Sequence, residues 1–197
     1  MFSCHADAPR TRTRPHQPGH LVFAACSVDS STMNPPAAPS DSSLLRHSLA
    51  ALAYRTQKAV RGAGQAYGSF EAGHGVRSPH DLIRHMEGVI GYAAAFFDPV
   101  ERPFSAQRRA TFAEQLAAFH QRLEELGILL ASAAPMHRGL TPSRLLQGPI
   151  SDAMTHAGQL ALLRRLADDS VPSENFIYAD ISSDNLGSVQ PPPARPG

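Results

Sequence analysis

Ten histidines stand in a chain of 197 residues, and two of them fall where helical spacing would give them chemistry. His85 comes three residues after Leu82 and four before Val89, which puts an imidazole inside an apolar helical stripe. His156 comes four residues after Asp152. Residues at that spacing are neighbours on one helix face, with Cβ atoms roughly 5–6 Å apart. Asp152 and His156 could therefore hold one ion together, and His85 could supply a third ligand from a facing helix. Two imidazoles and one carboxylate form a standard set for Fe(II), Zn(II), Ni(II) or Mn(II), with positions left for water or substrate. Burying a carboxylate is costly unless it is paired, hydrogen-bonded or bound to metal. Plainer readings stay open at this point. A lone histidine on an apolar face is commonly a hydrogen-bonded core residue. Asp152 could equally cap a helix starting near Pro149, or form a simple ion pair with His156.

The other histidines offer less. His5, His16 and His20 lie in the N-terminal stretch, and His74 and His137 fall in loops. His80 lies in the first turn of a helix and is expected to be exposed. His47 and His120 are on helices, off the apolar stripes, and are ambiguous.

Four helical patterns must position these groups. The first opens at Ser40-Asp41-Ser42, carries Leu45, Leu49, Leu52, Thr56 and Ala59 at spacings of three and four, and ends near Gly62. The second has Ser78 as N-cap, Pro79 in the first helical position and Asp81 three residues after the cap. Its stripe runs Leu82, Met86, Val89, Ile90, Ala93, Phe96 and Phe97, and Asp98-Pro99 stops it. The third is expected to start at Ser105, with Phe112, Leu116, Phe119, Leu123 and Leu126 inward and Gly127 as C-cap. The last begins at Thr141-Pro142, meets a kink or fresh start at Gly148-Pro149, and continues through Ile150, Ala153, Ala157, Leu160, Leu163 and Leu166. Four such helices and no strand-like alternation predict an all-α fold, a four-helix bundle. The connections after helices one and three are long, which leaves room for a crossover.

Composition fits this picture. The chain is 42% hydrophobic and 18% charged, enough apolar residues for one globular domain. A net charge of +1 and a pI near 8.0 give no reason to expect nucleic acid as a partner. No stretch reaches the ~18 to 20 apolar residues that cross a bilayer. Two cysteines, Cys4 and Cys26, are too few for a disulfide framework, and a reducing, cytoplasmic setting is the expectation. Residues 1–40, rich in Pro, Ser, His and Arg, are expected to be disordered. Within them Arg10, Arg12 and Arg14 precede the short run Leu21–Cys26, which is short for a secretory signal core. An extension ahead of a start at Met33 is one account of this stretch, and a plain disordered tail is compatible with it. The helical domain is expected over 41–183. From Asp184 onward a Pro-rich tail or loosely packed strap is expected.

The stretch Leu145-Leu146-Gln147-Gly148-Pro149-Ile150-Ser151-Asp152-Ala153-Met154-Thr155-His156-Ala157-Gly158-Gln159-Leu160 resembles the last helix of DinB-like proteins. Those proteins often carry His-x-x-x-His-x-Gly-Gln there. Ser78-Pro79-His80-Asp81-Leu82-Ile83-Arg84-His85-Met86 resembles their second helix, which carries a metal-ligand histidine. The resemblance covers roughly residues 42–180. It implies a four-helix bundle of up-down-down-up order, often a homodimer, with a divalent-metal site. By position His85 and His156 match family ligands, and Asp152 stands where the family more often has histidine. The exchange keeps a ligand oxygen and alters charge and metal preference.

What the resemblance implies is a metal-dependent enzyme acting on a small-molecule substrate, by thiol transfer or hydrolysis, with a low-molecular-weight thiol as a possible cofactor. Gln159 or Tyr92 could hydrogen-bond near the site, although ordinary packing or helix surface is the expectation for both. Arg164 and Arg165 are expected to serve the helix C-terminus. The alternative is a non-catalytic, dimeric or small-ligand-binding bundle with a vestigial metal site.

Overall fold

Helices begin where a side chain takes up the free amides of the first turn. In the computed structural model, which describes residues 40–194, Ser40 caps α1 (Asp41–Val60) by accepting from the Ser43 amide. Ser78 caps α2 (Pro79–Ala95) through the Asp81 amide. Thr111 caps α3 (Phe112–Ala131) in a reciprocal box with Glu114. Thr141 caps α4 (Pro142–Leu145). A π-helical turn, Leu146–Ile150, then leads into α5 (Ser151–Leu166), and the residues at both junctions keep right-handed helical conformation. The last rod therefore runs on through Pro149 without a fresh start. Proline cannot donate to the helical ladder, and the wider π turn accommodates the missing bond. The Ser151 hydroxyl donates to the Leu146 carbonyl across that turn at 2.7 Å. Among the described residues there is no strand, so the fold is all-α.

α1 packs against α3 and α5, and α2 packs against the same two. α1 and α2 thus occupy opposite corners around the core. The segment between them is pinned to α5 by Tyr67, whose hydroxyl donates to the Leu160 carbonyl at 2.6 Å. The core is built from the expected stripes: Leu49 and Leu52 of α1, Met86 and Ile90 of α2, Phe119 and Leu123 of α3, and Ile150 and Leu160 of the last rod. Leu166, placed inward by its spacing, is exposed. Between α2 and α3 the carboxylate of Glu87 is buried and accepts from the Gln115 amide at 2.6 Å.

Three local expectations are corrected. α3 starts at Phe112 and not at Ser105. Residues 104–110 are held outside the helix by side chains: Phe104 lies against Gly91 of α2, and Arg108 pairs with Asp81. Gly127 is not a C-cap; α3 continues through it to Ala131. Its missing side chain makes room for Leu186, since a Cβ there would sit 2.2 Å from a Leu186 methyl. Leu186 is consequently buried with the core, and residues 184–191 lie across the helices as a strap. Arg46 pairs with Asp184 at 2.7 Å, and Arg61 donates to the carbonyls of Gln190 and Pro191. His80 is buried and not exposed, edge-on to Phe112.

Cys4, Cys26, the Leu21–Cys26 run, Met33 and the expected disordered stretch before Ser40 lie outside the described residues. No helix among the described residues is long and apolar enough to cross a membrane.

Candidate metal centre

α2 lies against both α5 and the π turn that leads into it. Asp152 and His156 project from one face of α5, and His85 from α2 meets them. The Asp152 carboxylate bridges the pair: Oδ2 lies 3.5 Å from His85 Nε2, and Oδ1 lies 3.5 Å from His156 Nε2. The two imidazoles stand edge to face, 4.7 Å between ring centres. One ligand atom from each residue falls within 4.8 Å of the others. Bonds of about 2.0–2.1 Å in a tetrahedral site put ligand atoms roughly 3.3 Å apart. Each histidine is already close to that distance from one Asp152 oxygen, His85 from Oδ2 and His156 from Oδ1, and gathering all three on one ion takes a rotation of the carboxylate with movement of an imidazole. The cluster could hold a metal ion.

The His85 imidazole and the hydrogen bond that orients His156 favour the same reading. Gln159 Oε1 faces His156 Nδ1 at 2.8 Å. An amide oxygen only accepts, so Nδ1 carries a proton and donates to Gln159, which leaves Nε2 as the atom that faces Asp152. A lone pair and a carboxylate oxygen facing each other repel unless a proton or a cation lies between them. Burial first, then the charges of Arg77 and His156, hold the His85 imidazole below its ordinary value against the pull of Asp152. Neutral imidazole is the form that binds metal. His156 is 11% exposed and Asp152 48%. The carboxylate is thus half in solvent, and the burial cost expected from the sequence is small. Asp152 does not cap a helix, because the rod continues through Pro149.

The cluster opens onto a cavity of about 870 Å³, which His85 and Asp152 line together with Arg77, Arg84, Tyr92 and Phe104. A second cavity, of about 480 Å³, reaches His156 and Gln159 and is lined by Val76, Leu82, Leu162 and Leu166, with Arg77 shared between the two. Gln159, expected to be surface or packing, is a direct partner of a cluster histidine. Tyr92 is exposed at the cavity wall, edge-on to Phe96.

The remaining candidates lie elsewhere. His120 is buried between the Gln57 amide and the Leu186 carbonyl, each at 2.8 Å, and fastens the strap. His47 is exposed near Ser183. His74 and His137 sit in loops. Arg164 is buried and donates to the carbonyls of Ala59, Arg61 and Asp169, so it serves helix C-termini as expected. Arg77, Arg84 and Phe104 were not singled out by the sequence. Two of them are ordinary surface cations by type, and Phe104 lies in the connection between the second and third helical patterns, where periodicity gives no sign that it turns back over α2. Compared with known proteins, the chain matches no family model, no curated protein and no solved structure.

Proposed function

We propose that the chain is a divalent-metal-dependent enzyme of the DinB-like type, a four-helix bundle of up-down-down-up order that works in the cytoplasm on a small-molecule substrate. His85, Asp152 and His156 hold the ion, which is Zn, Ni, Fe or Mn. The reaction is transfer of a low-molecular-weight thiol or a hydrolysis. The observation that carries this reading is the position of the Asp152 carboxylate, 3.5 Å from the Nε2 of both histidines. Acceptor atoms converge there from two helices, on the wall of a cavity large enough for a substrate.

A divalent ion supplies Lewis acidity, lowering the pKa of a thiol or water placed at its open positions. The residues of the chain do the rest. Gln159 fixes the tautomer and the ring plane of His156. Asp152 adds negative charge that a set of three imidazoles lacks, which favours harder ions. The half-buried His85 leaves one side of the cluster open to the cavity.

Metal analysis of protein purified without added metal tests this. The expected result is close to one equivalent of a transition metal per chain, lost in a His156→Ala variant that remains folded. A second reading draws on the exposure of Asp152: at 48% it tolerates having no ion. On that reading the chain is a non-catalytic, dimeric or ligand-binding bundle. Metal-free wild type, with a thermal midpoint unmoved by chelators, would decide for it.

A further inference from the structure

The large cavity beside the cluster has a charge pattern of its own. Four charged side chains line it besides His85: Arg77, Arg84, Asp81 and Asp152. The two acids are already engaged. Asp81 accepts from the Ser78 hydroxyl at 2.9 Å and pairs with Arg108, which comes from outside the cavity. Asp152 faces the two imidazoles. The arginines are not comparably engaged. Arg77 makes no hydrogen bond or ion pair among the described residues, and Arg84 approaches Asp81 only at 3.6 Å. Arg84 Nε is buried without a hydrogen-bond partner. With Arg108 neutralising Asp81, the wall carries positive charge in excess, and an ion in the cluster would add to it.

Much of the remaining lining is apolar: Phe104, Tyr92, Val89 and Pro149. Phe104 is seated on Gly91, where a Cβ would lie 2.2 Å from the ring, and Arg122 covers its face at 4.5 Å from the centroid. The aromatic wall is therefore held in place from behind.

We propose that this cavity binds a small molecule with an oxyanion group, carboxylate or phosphate, on an apolar or aromatic body. Arg77 and Arg84 hold the oxyanion, Phe104 and Tyr92 take the body, and the reacting atom faces His85 and Asp152. Guanidinium donors match carboxylate and phosphate oxygens in geometry as well as charge. The placement of the reacting atom rests on the metal-site reading; the recognition of the anion does not.

Calorimetric titration with phenyl phosphate, against phenol as its neutral counterpart, tests the proposal. It is run on chelator-treated full-length protein at low salt, so that direct coordination of phosphate to metal makes no contribution. Phenyl phosphate is expected to bind the wild type and to lose about tenfold in affinity in Arg77→Gln and again in Arg84→Gln, one charge-assisted contact each. Phenol is expected to be indifferent to both substitutions. Arg77 supports no other group in the fold, so its variant keeps the wild-type thermal midpoint. An Arg165→Gln control, away from this cavity, should bind as wild type. No binding to wild type, or equal binding to the Arg77→Gln and Arg84→Gln variants, overturns the proposal. Arginine-dependent binding to a protein that takes up no metal would leave this inference standing and remove the metal site. Stoichiometric metal without arginine-dependent binding would do the reverse.

Discussion

Gln159 allows the cluster to be tested without touching a ligand. Its Oε1 accepts from His156 Nδ1 at 2.8 Å, and His156 is only 11% exposed. Replacing it by Leu keeps the side chain's bulk and removes the acceptor. The Nδ1 proton then has no partner at that position, the Nδ1–H tautomer loses its preference, and the ring is free to rotate. Outer-shell partners of ligating histidines are worth roughly 10- to 100-fold in metal affinity, which is about 1.4–2.8 kcal/mol. The hydrogen bond alone contributes about 0.5–1.5 kcal/mol, so the lower half of that range is expected where the ring stays packed. Competition against a chromophoric chelator reads the affinity directly, and a thermal midpoint within a few degrees of wild type shows that folding is intact. Gln159→Glu restores an acceptor with negative charge and should match or exceed wild-type affinity. A Gln159→Leu protein that binds metal within twofold of wild type would refute the orienting role, and with it the tautomer argument for His156.

Other perturbations follow from the packing. Gly91→Ala drives a Cβ into the Phe104 ring, at 2.2 Å. Overpacking costs about 1–3 kcal/mol and the better helix former returns about 1 kcal/mol, so a net loss of about 1 kcal/mol is expected in urea unfolding, together with weaker binding of phenyl phosphate. Leu186→Ala empties the notch at Gly127 and should cost about 2 kcal/mol, the low end for a buried leucine at a chain margin; limited proteolysis should then cut between 168 and 190 sooner than in wild type. Burial holds the imidazole of His120 below its ordinary value, against the Leu186 carbonyl that pulls it up. The unfolded chain takes up a proton there first. Its contribution to stability is thus complete above about pH 6.5 and declines as pH falls towards the folded value. Urea midpoints of metal-free protein at several pH values from neutral to mildly acidic should show that decline, shallower in His120→Gln. His80 and His85, also held low, act in the same window.

The sequence carried the parts of the fold that depend on local chemistry. Ser78-Pro79 starts α2 where a cap followed by proline must start it, and the Asp152–His156 spacing places both side chains on one face whatever surrounds them. That His85 meets them depends on α2 and α5 being neighbours, which helical periodicity does not encode. The misread positions share a cause. Gly127 resembles a helix stop, yet its role is to admit Leu186, a residue 59 positions later in the chain. Ser105 resembles a start, but the Thr111–Glu114 box competes with it and Phe104 is held on Gly91. His80 lies between Pro79 and Asp81 in the first turn of α2, and it meets Phe112 because α2 packs against α3 there. Arg77 and Arg84 gain meaning from a cavity that several segments wall together, and no single segment announces it.

The central claim is that His85, Asp152 and His156 share one ion. Crystals grown with zinc and measured on both sides of the zinc absorption edge address it most directly. The account predicts one strong anomalous peak per chain, about 2.0–2.1 Å from the Nε2 of each histidine and about 2.0–2.2 Å from an Asp152 oxygen. Zinc bound only elsewhere, or no peak between the three side chains at saturating metal, would contradict it.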